Sequence, residues 1–466
     1  MNSYNIFEKI KNESKDSKLI INEKVLSLKN KLHELENLEF LKLKKKKVFL
    51  ILCENDPYLI SLYTFLLSKN HVLILVDSLL NNSFLKKIIK DYDPDYVVGK
   101  NFFYEKFDLI KKINEICIFK NTNPITKKLY PDLALLLPTS GTTGSSKFVR
   151  ISHKNLYYNT LDICNYLKIN SGDSTITTMP FNYTYGMSII NTHLFKGCKI
   201  VFYNGTVLEK RFFDLLSIHK ITSFGGVPFI YEMLKKLKFE KLNTNSLKYV
   251  TQAGGKMDIS LWEYFYEISK LKRIKFISMY GATEATSRMS YLPYEFMLKK
   301  KGSIGKGLDK TSLYIVDQTT KKLINKPNHK GEILCKGKNV FLGYAENLKD
   351  LELGDKNKEK FYTGDIGYKD KDGFFFISGR KDRFSKILGH RINLDELENI
   401  INLKFPKSFV VKKEKIIVYS LINHDSEVLI NYISKTLNLH KRLFSFSKIS
   451  EIPLTKNNKI NYAKFK

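Results

Sequence analysis

Short apolar runs that alternate with helical stretches constrain this chain most. "VFLILC" at 48–53, "HVLILV" at 71–76 and "YVV" at 96–98 read as strands. Between them, "DPYLISLYTFLLSKN" and "SFLKKIIKDYD" read as helices. Strand alternating with helix implies a parallel sheet with right-handed crossovers. The rhythm continues through the helical "HKNLYYNTLDICNYL", the strands "STITTMP" and "KIVFYN", the helical "TVLEKRFFDLLSIHK" and the strand "ITSFGGVP". "SLKYVTQAGG" and "IKFISMYGATE" are further strands that run into loops.

From about residue 302 the rhythm changes. "GSIGKGL", "SLYIVD", "GEILCKGKNVFLGY" and "FYTGDIGYKDKDGFFFISG" are short β segments between Gly and Asp turns, the pattern of a small barrel or folded sheet. After Gly379 an α+β segment follows, with a helix near "LDELENIINL" and strands near "SFVVKKEKIIVYS". A length of 466 residues exceeds one ordinary core. The expected division is 1–379, with a β-rich part at about 302–379, and 380–466.

The net charge is +31, from 78 basic and 47 acidic residues. That could mean a nucleic-acid or membrane-surface partner. The excess, however, is almost all lysine and is spread along the chain, as a global compositional bias gives. The densest block, "KLKKKK" at 42–47, directly precedes a strand and reads as a solvated entry. Arginine is scarce, with eight in all, and Arg380, Arg383 and Arg391 fall within twelve residues. Lysine cannot replace arginine where a planar bidentate donor is needed, so 380–391 is a candidate anion site. Five scattered cysteines form no C-x-x-C pair, which suggests neither a disulfide framework nor a zinc site. The polar N-terminus and the lack of a membrane-length apolar run point to a reduced, cytoplasmic protein without a membrane span.

Several stretches carry candidate chemistry. In "PTSGTTGSSK", Gly141 and Gly144 permit a tight turn, and Thr139, Ser140, Thr142 and Thr143 add hydroxyls. Lys147 adds a cation, and the whole suits phosphate. It is no Walker P-loop: two residues separate the glycines and two more precede Lys147. "MYGATEAT" ends a strand and offers Tyr280 as a flat face, Thr283 as a hydroxyl and Glu284 as a carboxylate for Mg²⁺. In "YTGDIG", Asp365 sits on an expected tight turn and could accept from ribose hydroxyls. "GRKDRFSKILGHRINLDELE" carries Arg380, Lys386 and Arg391, and "IPLTKNNKINY" carries Lys459.

Together, in this order, "TSGTTGSSK", "YGATE", "YTGD", "GRKD…K…GHR" and "PLTKNNK" resemble the adenylate-forming enzymes, which include acyl-CoA synthetases, firefly luciferase and peptide-synthetase adenylation domains. The resemblance covers about residues 40–466. It implies a large α/β domain of two stacked, mostly parallel sheets with a small β-barrel-like part, then a small mobile α+β domain. It implies that a carboxylate attacks the α-phosphate of Mg-ATP, releasing pyrophosphate. By this resemblance the glycine turn holds the β and γ phosphates, and Lys459 bridges carboxylate and α-phosphate. Glu284 holds Mg²⁺ and Thr283 touches the α-phosphate. Asp365 and Arg380 fix the ribose. Tyr280 stacks on adenine opposite the backbone of Gly254 and Gly255. A thiol then attacks, most commonly CoA and alternatively the phosphopantetheine of a carrier protein. In that step Asp382 is the hinge, Gly389 lines the thiol channel and Arg391 contacts phosphate.

The chain departs from the family pattern at Asn458, where Gly is usual, and at Tyr183, where many acyl-CoA synthetases have His. The segment "MPFNYTYGMS" matches the acyl pocket, with Tyr183, Thr184, Tyr185 and Gly186 joined by Val227 and Pro228 as wall. It holds no acidic residue to pair an ammonium, which points away from amino acids. The readings set against this are an inactive binding relative and a basic nucleic-acid binder. Retention of Lys459, Glu284, Asp365 and Arg380 opposes the first. A steep salt dependence of binding would mark the second.

Overall fold

The apolar runs at 48–53 and 71–76 become neighbours. In the computed structural model, which describes residues 3–100, 102–138, 147–387, 390–437, 440–455 and 460–465, Val48–Cys53 pairs in parallel with Val72–Asp77 and with Tyr96–Gly99. Every residue of Val48–Cys53 is buried, as a strand covered on both faces requires. The crossovers are the helices Pro57–Ser68 and Asn82–Tyr92. The first starts where Asp56 accepts from the backbone N–H groups of Tyr58 and Leu59, with Pro57 in the first turn.

Among the described residues these strands belong to an eight-stranded sheet in the order 343–345, 148–152, 133–138, 72–77, 48–53, 96–99, 116–121, 107–113. Its flanks are antiparallel. Phe148–Ser152, antiparallel to Leu133–Pro138, was not read from the sequence. The glycine turn therefore lies between two strands, and the expected helix, His153–Leu167, follows the second of them. Residues 139–146 themselves are outside the described residues.

A second sheet carries the other half of the rhythm. Lys199–Val201, Ser174–Ile176, Ser223–Gly226, Tyr249–Gln252 and Lys275–Tyr280 lie side by side, all parallel. Ser290–Leu292 and Ser303–Gly307 extend it antiparallel. At the other edge Lys18–Ile21 and Lys24–Ser27 add a pair that the sequence reading did not include.

The chain divides into two compact units, Met1–Leu313 with Cys335–Phe361, and Tyr314–Leu334 with Tyr362–Lys466. The second includes both the "YTGD" segment and everything from 380 onward. Within it, the hairpin Phe384–Ile387 with His390–Asn393 leads to the helix Leu394–Lys404. A sheet of Ser408–Lys412, Ile416–Ser420 and Phe444–Lys448 follows. Leu397, Ile401, Val410, Val418, Leu429 and Ile433 are buried together as its core. Among the described residues no helix is long and apolar enough to cross a membrane.

Candidate active site

The carboxyl ends of three adjacent parallel strands carry the expected loops. Ser223–Gly226 leads to Val227 and Pro228, Tyr249–Gln252 leads to Gly254 and Gly255, and Lys275–Tyr280 ends on Tyr280. Ligands of open α/β sheets bind at this edge. Gln252 Nε2 donates to Gly255 O at 2.8 Å, and Ser278 Oγ donates to Gln252 Oε1 at 3.1 Å, which ties the second loop to the third strand. Only glycine fits at 281, since a Cβ there would lie 1.6 Å from Ser287 O. The chain then makes the short 3₁₀ turn Thr283–Ala285, with Thr283 buried and Glu284 half-buried. Fully buried Asn339 holds this turn from behind, donating to Ala285 O at 3.2 Å and Arg288 O at 2.7 Å.

Glu284 does not stand alone. Tyr344 Oη donates to its Oε1 at 2.9 Å, and Phe341 N donates to its carbonyl at 2.9 Å. Lys147 Nζ sits 4.1 Å from the centre of the same Tyr344 ring and 3.9 Å from the Glu346 carboxylate. Burial, and then the Glu284 carboxylate, push the Tyr344 hydroxyl far above its ordinary range, so it remains a donor. Tyr344 thus joins the lysine of one motif to the carboxylate of another. The sequence reading did not single it out, since "NVFLGY" looks like an ordinary strand end. The strand Gly343–Ala345 is placed by pairing with Phe148–Arg150. Wholly buried Arg150 donates from Nε to Tyr344 O at 3.2 Å, from Nη2 to Leu342 O at 3.1 Å and to Gly354 O at 3.2 Å, and from Nη1 to Leu353 O.

Of the six expected pocket residues, Tyr185 lines an internal cavity of about 20 Å³. Its hydroxyl donates to Thr251 O at 2.7 Å, and burial pushes its pKa up to about 12. Tyr183 stands just before the helix Thr184–Phe195, its ring 6.5 Å from that of Tyr185. Gly186 is required because a Cβ would meet Pro180 O at 2.2 Å. Thr184 and Val227 are buried, but neither they nor Tyr183, Gly186 or Pro228 line this cavity. Arg288, Tyr166, Met279 and His193 do, and the sequence reading had not named them.

In the second unit Asp365 and Arg380 are paired with each other. They are directly opposite in the antiparallel pairing of Lys360–Lys369 with Phe375–Arg380, and Arg380 Nε donates to Asp365 Oδ1 at 3.0 Å. Asp365 therefore sits within a strand, just after Gly364 at φ +73°, and not on an isolated turn. Its side chain is 8% exposed and that of Arg380 62%. Arg383, noted only as part of a cluster, is a structural centre. It donates to Asp395 at 2.7 Å, to Glu398 at 3.1 Å and to Val410 O at 2.7 Å, and its guanidinium lies 3.8 Å from the Tyr462 ring. Tyr462 Oη in turn donates to Glu398 at 2.6 Å. Asp382 falls in the 3₁₀ turn Lys381–Arg383, and Lys386 is opposite Arg391 in the hairpin. The side chains of these three are outside the described residues, as are Thr139, Ser140, Gly141, Thr142, Thr143, Gly144, Gly389 and Lys459. Lys459 falls between Leu454 and Ile460, which form a bridge.

The fold and its strand-edge loops are those of an open α/β protein, the class whose ligands bind at the carboxyl edge of the parallel strands. The AMP-binding enzyme family profile matches residues 37–345, well over half of the chain, and the chain belongs to that family. It is 28% identical to a 2-succinylbenzoate–CoA ligase of Oceanobacillus iheyensis, over 71% of this chain and 68% of that protein. It is 27% identical to an oxalate–CoA ligase of Saccharomyces cerevisiae, over 73% of this chain and 65% of that protein. It is 29% identical to the luciferin 4-monooxygenase of Luciola mingrelica, over 59% of this chain and 50% of that protein. The fold is that of the O-succinylbenzoate coenzyme A synthetase of Bacillus subtilis solved with AMP, at a TM-score of 0.78 and 21% identity over 99% of this chain and 98% of that one.

Proposed function

We propose that the chain is an AMP-forming acid–thiol ligase: it joins a carboxylic acid to AMP, releases pyrophosphate, and passes the acyl group to a thiol. The observation that carries this reading is the Lys147–Tyr344–Glu284 cluster, which brings the lysine after the glycine turn to the carboxylate of "YGATE". CoA is the favoured acceptor, because both CoA ligases named above match about seven-tenths of the chain. A carrier protein is the alternative. The reading puts the protein in the cytoplasm.

The attacking carboxylate is already an anion, so no general base is needed. The barrier is repulsion between two anions, which positioned positive charge lowers. Lys147 and the hydroxyls and N–H groups of 139–146 meet the β and γ phosphates, and Lys459 bridges carboxylate and α-phosphate. Thr283 touches the α-phosphate. Tyr280 stacks on adenine against Gly254 and Gly255, and Asp365 with Arg380 meets the ribose. Among the described residues no three His, Cys, Asp or Glu side chains gather as a metal cage. A single half-buried carboxylate, Glu284, fits Mg²⁺ that arrives on phosphate oxygens. When bound, that ion supplies charge neutralisation. Asp382 is the hinge for the second step, in which Gly389 lines the thiol channel and Arg391 meets phosphate; Lys386 belongs with the nucleotide-binding residues.

The test is carboxylate-dependent ATP–pyrophosphate exchange across a panel of acids, with AMP as the expected nucleotide product. ADP and phosphate would refute the assignment. Lys459→Ala should slow adenylation by roughly 10²–10³ while sparing thiolysis of supplied acyl-AMP. Equal loss in both half-reactions would remove Lys459 from the first.

A further inference from the structure

Arg288 is 3% exposed, and among the described residues no carboxylate lies within ion-pairing distance of it. Its Nε meets the thioether of Met279 at 3.3 Å, its Nη1 reaches Ser287 O at a long 3.5 Å, the Tyr166 hydroxyl is a further side-chain partner, and its guanidinium lies 4.3 Å from the centre of the Tyr185 ring. A guanidinium has five N–H donors. Burying it with so few acceptors is costly unless something else supplies them.

The cavity it lines supplies hydroxyls but no carboxylate. The lining holds Tyr166, Ser188, His193, Tyr249 and Thr251, and no Asp or Glu. Burial draws the His193 pKa down to about 4, so Arg288 is the sole lining cation at neutral pH. A second polar group there is poorly satisfied: the buried Tyr249 hydroxyl has only a weak contact with the Ser223 side chain. The cavity lies directly behind the nucleotide edge, because Met279 precedes Tyr280 and Thr251 lies three residues before Gly254. Tyr185, from the acyl-pocket segment, forms another wall.

We propose that Arg288 is the specificity-determining cation of the acyl pocket, and that the acid activated is a dicarboxylate whose distal carboxylate pairs with its guanidinium. The proposal rests on the ligase reading above. One carboxylate of the substrate goes forward to the α-phosphate. The other enters the cavity, takes the unused guanidinium donors, and accepts from Tyr249. At about 20 Å³ the cavity has room for about one water, so it receives the end group and not a long chain. Met279, unbranched and adaptable, is the part of the lining that yields. The same cation rejects an ammonium, in keeping with the absence of an acidic residue from "FNYTYGMSII".

The experiment pairs straight-chain diacids, from oxalate to adipate, each with its monomethyl ester. Exchange kinetics and thermal shift are measured on the full chain and on Arg288→Met and Arg288→Lys. At least one diacid should exceed its ester in kcat/KM by roughly 10² or more, since a site built for a polar group rejects the analogue lacking it. In Arg288→Met that ratio should collapse to about one, and Arg288→Lys should retain part of it. Thermal stabilisation by the diacid should vanish in Arg288→Met, a readout that needs no turnover. If esters match diacids in both assays, or if Arg288→Met keeps the ratio, the proposal is overturned. If no acid supports exchange while a diacid still stabilises the protein through Arg288, the subsite stands and the ligase reading falls.

Discussion

Arg150 and Arg288 are both buried in the first unit, yet their surroundings differ in kind. At the edge formed by 148–152 and 343–345, Arg150 donates to the carbonyls of Leu342, Tyr344, Leu353 and Gly354. At the cavity, Arg288 has a thioether, one distant carbonyl, the Tyr166 hydroxyl and an aromatic face. The first arginine is explained by folding alone, because its charge is spread over backbone oxygens that would otherwise be orphaned. The second keeps more donors than it has acceptors, and a buried group left under-satisfied calls for an explanation in function.

The contrast breaks most directly at Arg150. Arg150→Met leaves several buried carbonyls unpaired, at about 1–3 kcal/mol each, and should lower the unfolding free energy of its unit by roughly 4 kcal/mol or more. Arg288→Met removes an uncompensated buried charge of similar length and should leave stability unchanged or raised. Denaturant unfolding of both variants decides it. If Arg288→Met costs as much as Arg150→Met, the cavity arginine is structural.

The two regions also share an acid liability. His153 follows the strand that carries Arg150, and both its ring nitrogens are buried without partners. Burial pulls its pKa down to about 3. His193 lines the cavity, donates to Ile189 O at 2.8 Å, and is pulled by burial to about 4. Both folded values lie below the ordinary 6.5, so the unfolded chain takes up the proton first as pH falls. Stability is therefore full above 6.5 and is lost on acidification toward 4 for His193 and toward 3 for His153. Each histidine should account for roughly 2 kcal/mol between about pH 7 and 5. Unfolding measured across that range, with His153→Leu and His193→Leu beside the parent, assigns the loss to each region. A flat profile would mean that neither imidazole is held neutral.

How much of this was legible in the sequence follows from which signals are local. The strand runs 48–53 and 96–98 and the helix His153–Leu167 were readable because period and apolarity are local properties. Phe148–Ser152 was hidden because its five residues adjoin the polar turn and its pairing with Leu133–Pro138 decides its conformation. "YGATE" announced Glu284, but nothing near it announced Tyr344, sixty residues on, whose relation to it exists only through the 148–150 pairing. Arginine scarcity was a sound signal applied too narrowly. It drew attention to 380–391, where Arg383 proves structural, while the same argument would have reached Arg150 and Arg288.

Tyr344 belongs to both regions, and it gives the smallest expected effect. Its backbone carbonyl is part of the Arg150 network, while its side chain reaches Glu284 and lies beneath Lys147. Tyr344→Phe keeps the ring and removes only the hydroxyl. Glu284 is half-buried, so water can replace that donor, and the fold should be unaffected. The carboxylate loses its fixed orientation, and a hydrogen bond to a charged group is worth about 1.5–3 kcal/mol at most. Exchange should therefore slow by roughly tenfold, with a higher Mg²⁺ requirement. Tyr344→Leu also removes the aromatic face from Lys147, which adds about 0.5–1 kcal/mol. Exchange rates at graded Mg²⁺ for the two variants test this order. If Tyr344→Phe matches the parent at every Mg²⁺ concentration, the bond to Glu284 does not position the carboxylate, and Tyr344 serves the Arg150 edge alone.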